Sequence, residues 1–232
     1  SPILSTGAKD LYNDSEGRLT LTNQRFSYES QKEIVLKNTL FILGGAKPKD
    51  YSSLFKSKNI IACGLFGQSI LVSKGKNLGA QNKYLEKEAD LNNELKSKLK
   101  NLKAKTPVDF AVKINEKRKE ISLEEFPSEY EIYDIGEKSI SLFVKEIKKA
   151  KSIFMKGPVG DFSSKGFEKG TFTILKTIAD SKAFSVLGGG HLNNAITKAR
   201  INKNKFDHIS LSGGALIQYI SGEKLPGIEA LG

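Results

Sequence analysis

The chain has 232 residues, 38% of them hydrophobic, with 37 Lys and Arg against 26 Asp and Glu for a formal charge of +11. That size and content suit one good core or two small ones, as in ordinary soluble globular proteins. The positive balance favours anionic partners such as nucleotides or sugar phosphates, while the lack of an arginine-rich run, an aromatic-studded basic strand or zinc-finger spacing argues against nucleic acid.

Along the chain, the first thirty residues hold the turn-like run Asn13-Asp14-Ser15-Glu16-Gly17 between short segments, and they do not make a domain. After about residue 38, short apolar runs alternate with longer amphipathic ones, the pattern of βα units around a parallel sheet. Strands are predicted at Thr39–Leu43, Asn59–Cys63, Pro107–Lys113, Ser152–Met155, Phe184–Leu187 and His208–Ser210. The spacing predicts a helix over Asp90–Lys103, where Leu91, Leu95, Leu99 and Leu102 line one face and lysines the other. Ser139–Lys149 and Phe167–Ala179 repeat that device. Helices are thus available for both faces of a sheet, and a doubly wound α/β domain is expected rather than a sandwich or barrel of strands.

Glycines gather where predicted strands end: Gly44-Gly45-Ala46-Lys47, Gly157-Pro158-Val159-Gly160, Gly188-Gly189-Gly190, and Gly213-Gly214 before a short helix. One such cluster is most simply a turn. Several at successive strand ends, one with a lysine, point to a nucleotide site, because backbone N–H groups and helix N-termini there can approach phosphate. Cys63 is the only cysteine, which excludes an intrachain disulfide, and with His191 and His208 as the other soft ligands no structural zinc site is expected. No signal peptide or apolar stretch of about 18 residues stands out, so a cytoplasmic monomer free of the membrane is expected.

These elements, with Phe41–Lys47, Pro107–Phe110, Tyr133–Gly136, Gly166–Thr171 and Leu225–Leu231, resemble in order and spacing the C-terminal domain of the phosphoglycerate kinase family, in its archaeal-type branch. The resemblance runs from about Gln31 to the end. It implies a Rossmann-like nucleotide-binding domain over residues 31–232, with ATP or ADP and Mg2+ as cofactors and glycolytic phosphoryl transfer as the activity. It implies that Gly45, Ala46 and Lys47 lie along the nucleotide, Lys47 on a phosphate, and that Gly64 and Pro158 flank the adenine and ribose beside Gly160. Gly188, Gly189, Gly190, Gly213 and Gly214 would present backbone donors to the transferring phosphate. Residues 1–30 resemble only remnants of the amino-terminal domain, in which Arg25 matches an arginine of the 3-phosphoglycerate patch. The resemblance implies that most of that domain is missing between about Ser30 and Gln31, and little activity is expected of the chain alone.

The family pattern also changes in four places. His191 stands where a magnesium-holding Asp is usual, Lys156 at the usual Asn, Ser163 at the usual Glu reaching the ribose, and Ser212 at the first glycine of a triplet. An imidazole at position 191 can donate to phosphate or simply cap a helix, and it supplies no hard anionic oxygen for a metal. Three readings follow: a phosphoglycerate kinase, a nucleotide-binding module without transfer chemistry, and, weakest, a basic interaction protein for nucleic acid.

Overall fold

In the computed structural model, which describes residues 10–13, 19–22, 38–211 and 217, Asp10–Asn13 (β1) and Leu19–Thr22 (β2) form an antiparallel pair. The strands that follow are Leu40–Leu43 (β3), Ile60–Ala62 (β4), Asp109–Ile114 (β5), Lys117–Ser122 (β6), Ile132–Ile135 (β7), Ser152–Lys156 (β8), Phe184–Gly188 (β9) and His208–Ser210 (β10). Between them lie helices Gly64–Ser73 (α1), Ala80–Glu88 (α2), Asn93–Lys100 (α3), Glu137–Lys149 (α4), Lys169–Ala179 (α5) and Gly190–Lys198 (α6).

Five strands make one parallel sheet in the order β10-β9-β8-β3-β4. Its strands are apolar at nearly every position because both faces are covered. Phe41, Leu43, Ile60, Ala62, Phe154 and Val186 join one buried cluster, with Phe66 and Ile70 of α1, Leu85 of α2 and Leu95 and Leu99 of α3. The alternate residues Leu40, Ile42, Ile61, Ile153, Met155 and Leu187 join the other, with Ile140 and Phe143 of α4, Ile174 and Ile178 of α5 and Leu192 and Ile196 of α6. The doubly wound α/β reading is therefore the observed fold. The leucine stripe predicted from Leu91 to Leu102 is buried throughout. Its helix is shorter than Asp90–Lys103, since Asp90 has φ +50° and the Asn92 side chain caps the start by accepting from the Leu95 amide at 2.9 Å.

Pro107–Lys113 requires correction. It does not join the parallel sheet: β5 is the centre of a separate antiparallel sheet, β6-β5-β7. The turn between β5 and β6 is Asn115-Glu116, both at positive φ (47° and 59°), and Ile114 pairs with Lys117 across it. Positive φ at both central positions is the hairpin geometry that matches strand twist.

Numbered in chain order, the five parallel strands run 2-1-3-4-5, and the winding reverses between β3 and β8. In open sheets of this kind the carboxyl ends at that reversal diverge and leave a crevice for ligands. The loops after these two strands are Gly44-Gly45-Ala46-Lys47 and Gly157-Pro158-Val159-Gly160.

Candidate functional site

The two loops at the reversal are tied together by main chain. The Gly44 amide donates to the Lys156 carbonyl at 2.8 Å and the Gly45 amide to the Pro158 carbonyl at 2.9 Å. A Cβ on Gly44 would collide with the Pro158 carbonyl, and one on Gly157 with the Gly44 carbonyl, so glycine is what lets the strand ends cross this closely. The Gly64 amide, opening α1, donates to Val159 at 3.0 Å. Tyr51 is 2% exposed and its hydroxyl donates to the Gly44 carbonyl. Burial, helped by Cys63 and Asp50, pushes that phenol far up its scale, so it stays a neutral donor.

Two chambers flank this crossing, and Gly45, Ala46 and Pro158 wall both of them. The first, about 400 Å³, is lined by Gly64, Leu65 and Gln68 of α1, Gln81 and Tyr84 of α2, Glu131, Ile132 and Tyr133 at β7, and Gly160 and Asp161. The second, about 330 Å³, holds Lys47, Asp50 and Lys156, the loop Gly188-Gly189-Gly190, and His191 at the start of α6. The first has a mixed lining, apolar at Leu65 and Ile132 and polar at Gln68, Gln81, Glu131 and Asp161. The second gathers cations and the amide-bearing end of a helix, the equipment of an anion site.

The structure thus brings together Gly45, Ala46, Lys47, Gly64, Pro158, Gly160, Gly188, Gly189, Gly190 and His191, all singled out from the sequence. Arg25, Gly213 and Gly214 lie outside the described residues, as do Ser212 and Leu225–Leu231. Sequence reasoning missed the polar lining: Gln68, Gln81, Tyr84, Glu131, Asp50 and Tyr51. Glutamines and tyrosines on helices look like solvated positions until the packing is known.

Lys156 is held before any anion arrives. Its Nζ lies 2.9 Å from Asp50 Oδ2, with the lysine side chain 13% exposed, and 5.1 Å from the Tyr51 ring centre. Lys47 makes no ion pair among the described residues. The residues present do not fit a protein-held magnesium. Among the described residues, Asp50 is the only carboxylate that lines the second chamber and is engaged by Lys156; His191 offers an imidazole. Among the described residues no group of three His, Cys, Asp or Glu could hold a metal ion.

Behind the first chamber, Asp134 is buried with its side chain 0% exposed, paired to Arg118 at 2.8 Å. It also accepts from the Gly170 amide at 2.8 Å and the Ile135 amide at 2.9 Å. Burial pushes its carboxyl up to about 6, against the opposing pull of Arg118 and those amides. Asp109 of β5 accepts from the Lys138 and Ser139 amides at 2.9 and 2.8 Å, which caps α4 from outside the helix.

A doubly wound sheet with a two-chambered crevice at its winding reversal, one chamber slot-like and one cationic, belongs to the class of α/β mononucleotide-binding domains. The phosphoglycerate kinase family model matches residues 17–223, and the chain belongs to that family. It is 37% identical over 228 residues to the phosphoglycerate kinase of Methanothermus fervidus, covering 93% of this chain and 55% of that protein. With the Pyrococcus furiosus enzyme it shares 37% over 221 residues, 88% of this chain and 52% of the other. The crystal structure of phosphoglycerate kinase from Pyrococcus horikoshii OT3 superposes with TM-score 0.72 at 33% identity, over 84% of this chain and 51% of that one. The Coxiella burnetii structure gives TM-score 0.68 at 25% identity over 83% and 52%. The chain spans about half the length of the curated relatives it matches. Among the described residues no helix is long and apolar enough to cross a membrane.

Proposed function

We propose that this chain carries the ATP- and ADP-holding part of a phosphoglycerate kinase, an enzyme of reversible phosphoryl transfer between ATP and 3-phosphoglycerate in the cytoplasm. The observation that carries this is the pair of chambers sharing the wall Gly45-Ala46-Pro158 at the winding reversal. A nucleotide laid across that wall has its base and ribose in the first chamber and its phosphates in the second. Gly64 and Pro158 then flank the adenine and ribose with Gly160 beside them, and Lys47 meets a phosphate as a point charge. Gly188, Gly189, Gly190 and the α6 amides near His191 stabilise the charge spread over the transferring group, the role that the family resemblance also implies for Gly213 and Gly214. Phosphoryl transfer asks the protein mainly for such positioning.

Mg2+ belongs to this reading as a companion of the nucleotide. No residue of the second chamber is assigned to it. The acceptor 3-phosphoglycerate is assigned to an amino-terminal domain, of which residues 1–30, with Arg25, would be a part; residues 31–232 form the nucleotide domain.

Calorimetric titration of ADP tests the site. Lys47→Ala is expected to weaken ADP about tenfold to hundredfold, the range of one charge-assisted hydrogen bond. No detectable ADP binding at millimolar concentration, or equal affinity in Lys47→Ala, would remove the nucleotide from this cleft.

A further inference from the structure

The first chamber contains a feature that apolar slots do not need: two buried glutamines in series. Gln68 is 4% exposed and Gln81 1%. An amide side chain has one accepting end and one donating end, and its flip is set by its partners. Here the partners leave no freedom. The backbone N–H of Ile132 donates to Gln81 Oε1 at 2.9 Å, which fixes the carbonyl of Gln81 toward β7. Gln81 Nε2 then donates to Gln68 Oε1 at 2.8 Å, so the carbonyl of Gln68 faces Gln81 and its NH2 group faces away. A backbone N–H can only donate, so the polarity runs one way along the whole relay.

Gln68 Nε2 donates to no described group, and it is not among the fully buried polar atoms left unpaired. Gln68 lines the chamber, so the exposed remnant of this residue offers hydrogen-bond donors to whatever fills the slot. Around it, Leu65 and Ile132 supply apolar surface, and Tyr84, 40% exposed, stands as an aromatic wall. A flat heteroaromatic ring with an acceptor on its edge matches that lining.

Resting on the nucleotide reading above, we infer that Gln68 reads the base: its Nε2 donates to a ring-nitrogen acceptor on the edge of a purine held in the first chamber. The donor polarity is imposed by Gln81 and the Ile132 amide. A site built to hydrogen-bond one ring atom rejects an analogue lacking it, because the donor is then left dry and unpaired.

The test titrates the 232-residue chain with ADP, with inorganic tripolyphosphate, and with 1-, 3- and 7-deaza-ADP, in wild type, Gln68→Met and Gln68→Glu. Gln68→Glu keeps an acceptor for Gln81 while removing the donor, which separates base contact from support of the relay. Both variants are expected to weaken ADP about fivefold to tenfold, the worth of one net hydrogen bond, and to leave tripolyphosphate unchanged. One deaza analogue should bind wild type as weakly as ADP binds Gln68→Met, with no further loss in that variant. Unchanged ADP affinity in Gln68→Glu, equal loss of ADP and tripolyphosphate, or full affinity for all three analogues each overturns the assignment. Wild type that binds neither ADP nor tripolyphosphate overturns the nucleotide site itself.

Discussion

Replacing Arg118 by methionine removes the charge that faces buried Asp134 while keeping the hydrocarbon stem. Arg118 is 15% exposed at its side chain and Asp134 0%. Burial works to lower the guanidinium, but its bonds to Asp134 and Glu120 outweigh that and hold it above its usual range. The substitution also removes donors from the Ile135 and Gly166 carbonyls, at 2.9 and 3.3 Å. Asp134 binds its proton more tightly folded, at about 6, than unfolded, at about 3.9. Its contribution to stability is therefore greatest below the ordinary aspartate range and is lost as pH rises through about 6. Without Arg118 the folded value climbs further, so the cost of the substitution must grow with pH. Near pH 5 the carboxyl is mostly neutral and the loss is that of the two carbonyl bonds and the partly exposed pair with Glu120, about 2 kcal/mol in all. Near pH 8 an uncompensated buried charge is added, bringing the loss to about 4 kcal/mol. Urea unfolding of both proteins at the two pH values measures this. Equal losses at both would refute the view that Asp134 is a desolvated carboxyl kept ionised by Arg118.

Two further outcomes follow from the same site. Cys63 is 0% exposed, and burial, with Asp134 adding to it, pushes its thiol far above the ordinary range; a colourimetric thiol reagent should leave the native protein unlabelled and modify it fully in about 6 M urea, and stoichiometric native labelling within minutes would contradict the burial. Asp50→Asn frees Lys156 from its competing carboxylate, so ADP should bind about threefold to tenfold tighter; calorimetry giving weaker binding would show that Asp50 holds Lys156 in place rather than competing for it.

Much of the fold was legible because its central strands and amphipathic helices declare themselves in apolar spacing. Ile42, Ile61, Phe154 and Leu187 lie in runs buried on both faces, and the stripe from Leu91 to Leu102 repeats at helical period. The antiparallel sheet was not legible. β6 reads Lys117-Arg118-Lys119-Glu120 before reaching its first buried residue, Ile121, so it shows no apolar alternation. Its turn, Asn115-Glu116, lacks the glycine that marks most hairpins of that geometry. At the site, glycines were legible because strand ends and glycine coincide for a steric reason. Gln68 and Gln81 were not, because an amide on a helix carries no sign of being buried. Lys156 was noticed as a substitution, but its pairing with Asp50 exists only in three dimensions.

The two chambers differ in how they are built, and that difference bears on what each can discriminate. The second uses parts that any doubly wound sheet of this order supplies: adjacent strand ends after β3, β8 and β9, and the amino end of α6. Such a site recognises an anion through charge and main-chain amides, neither of which distinguishes one polyphosphate carrier from another. The first chamber depends on the residues between β4 and β8, where β7 brings Ile132 and Tyr133 against Gln68, Gln81 and Tyr84. Two buried carboxylates tie this addition to helices that cover the main sheet. Asp109 caps α4, and Asp134 joins β7 to the start of α5 through the Gly170 amide. Gly160 is confined by the same carboxylate, since a Cβ there would meet Asp134. Under the proposed function, recognition of the base hangs on these buried carboxylates, whereas recognition of phosphate hangs on the sheet. A change at Asp134 or Arg118 should reach ADP affinity before tripolyphosphate affinity, even though neither residue lines the chamber.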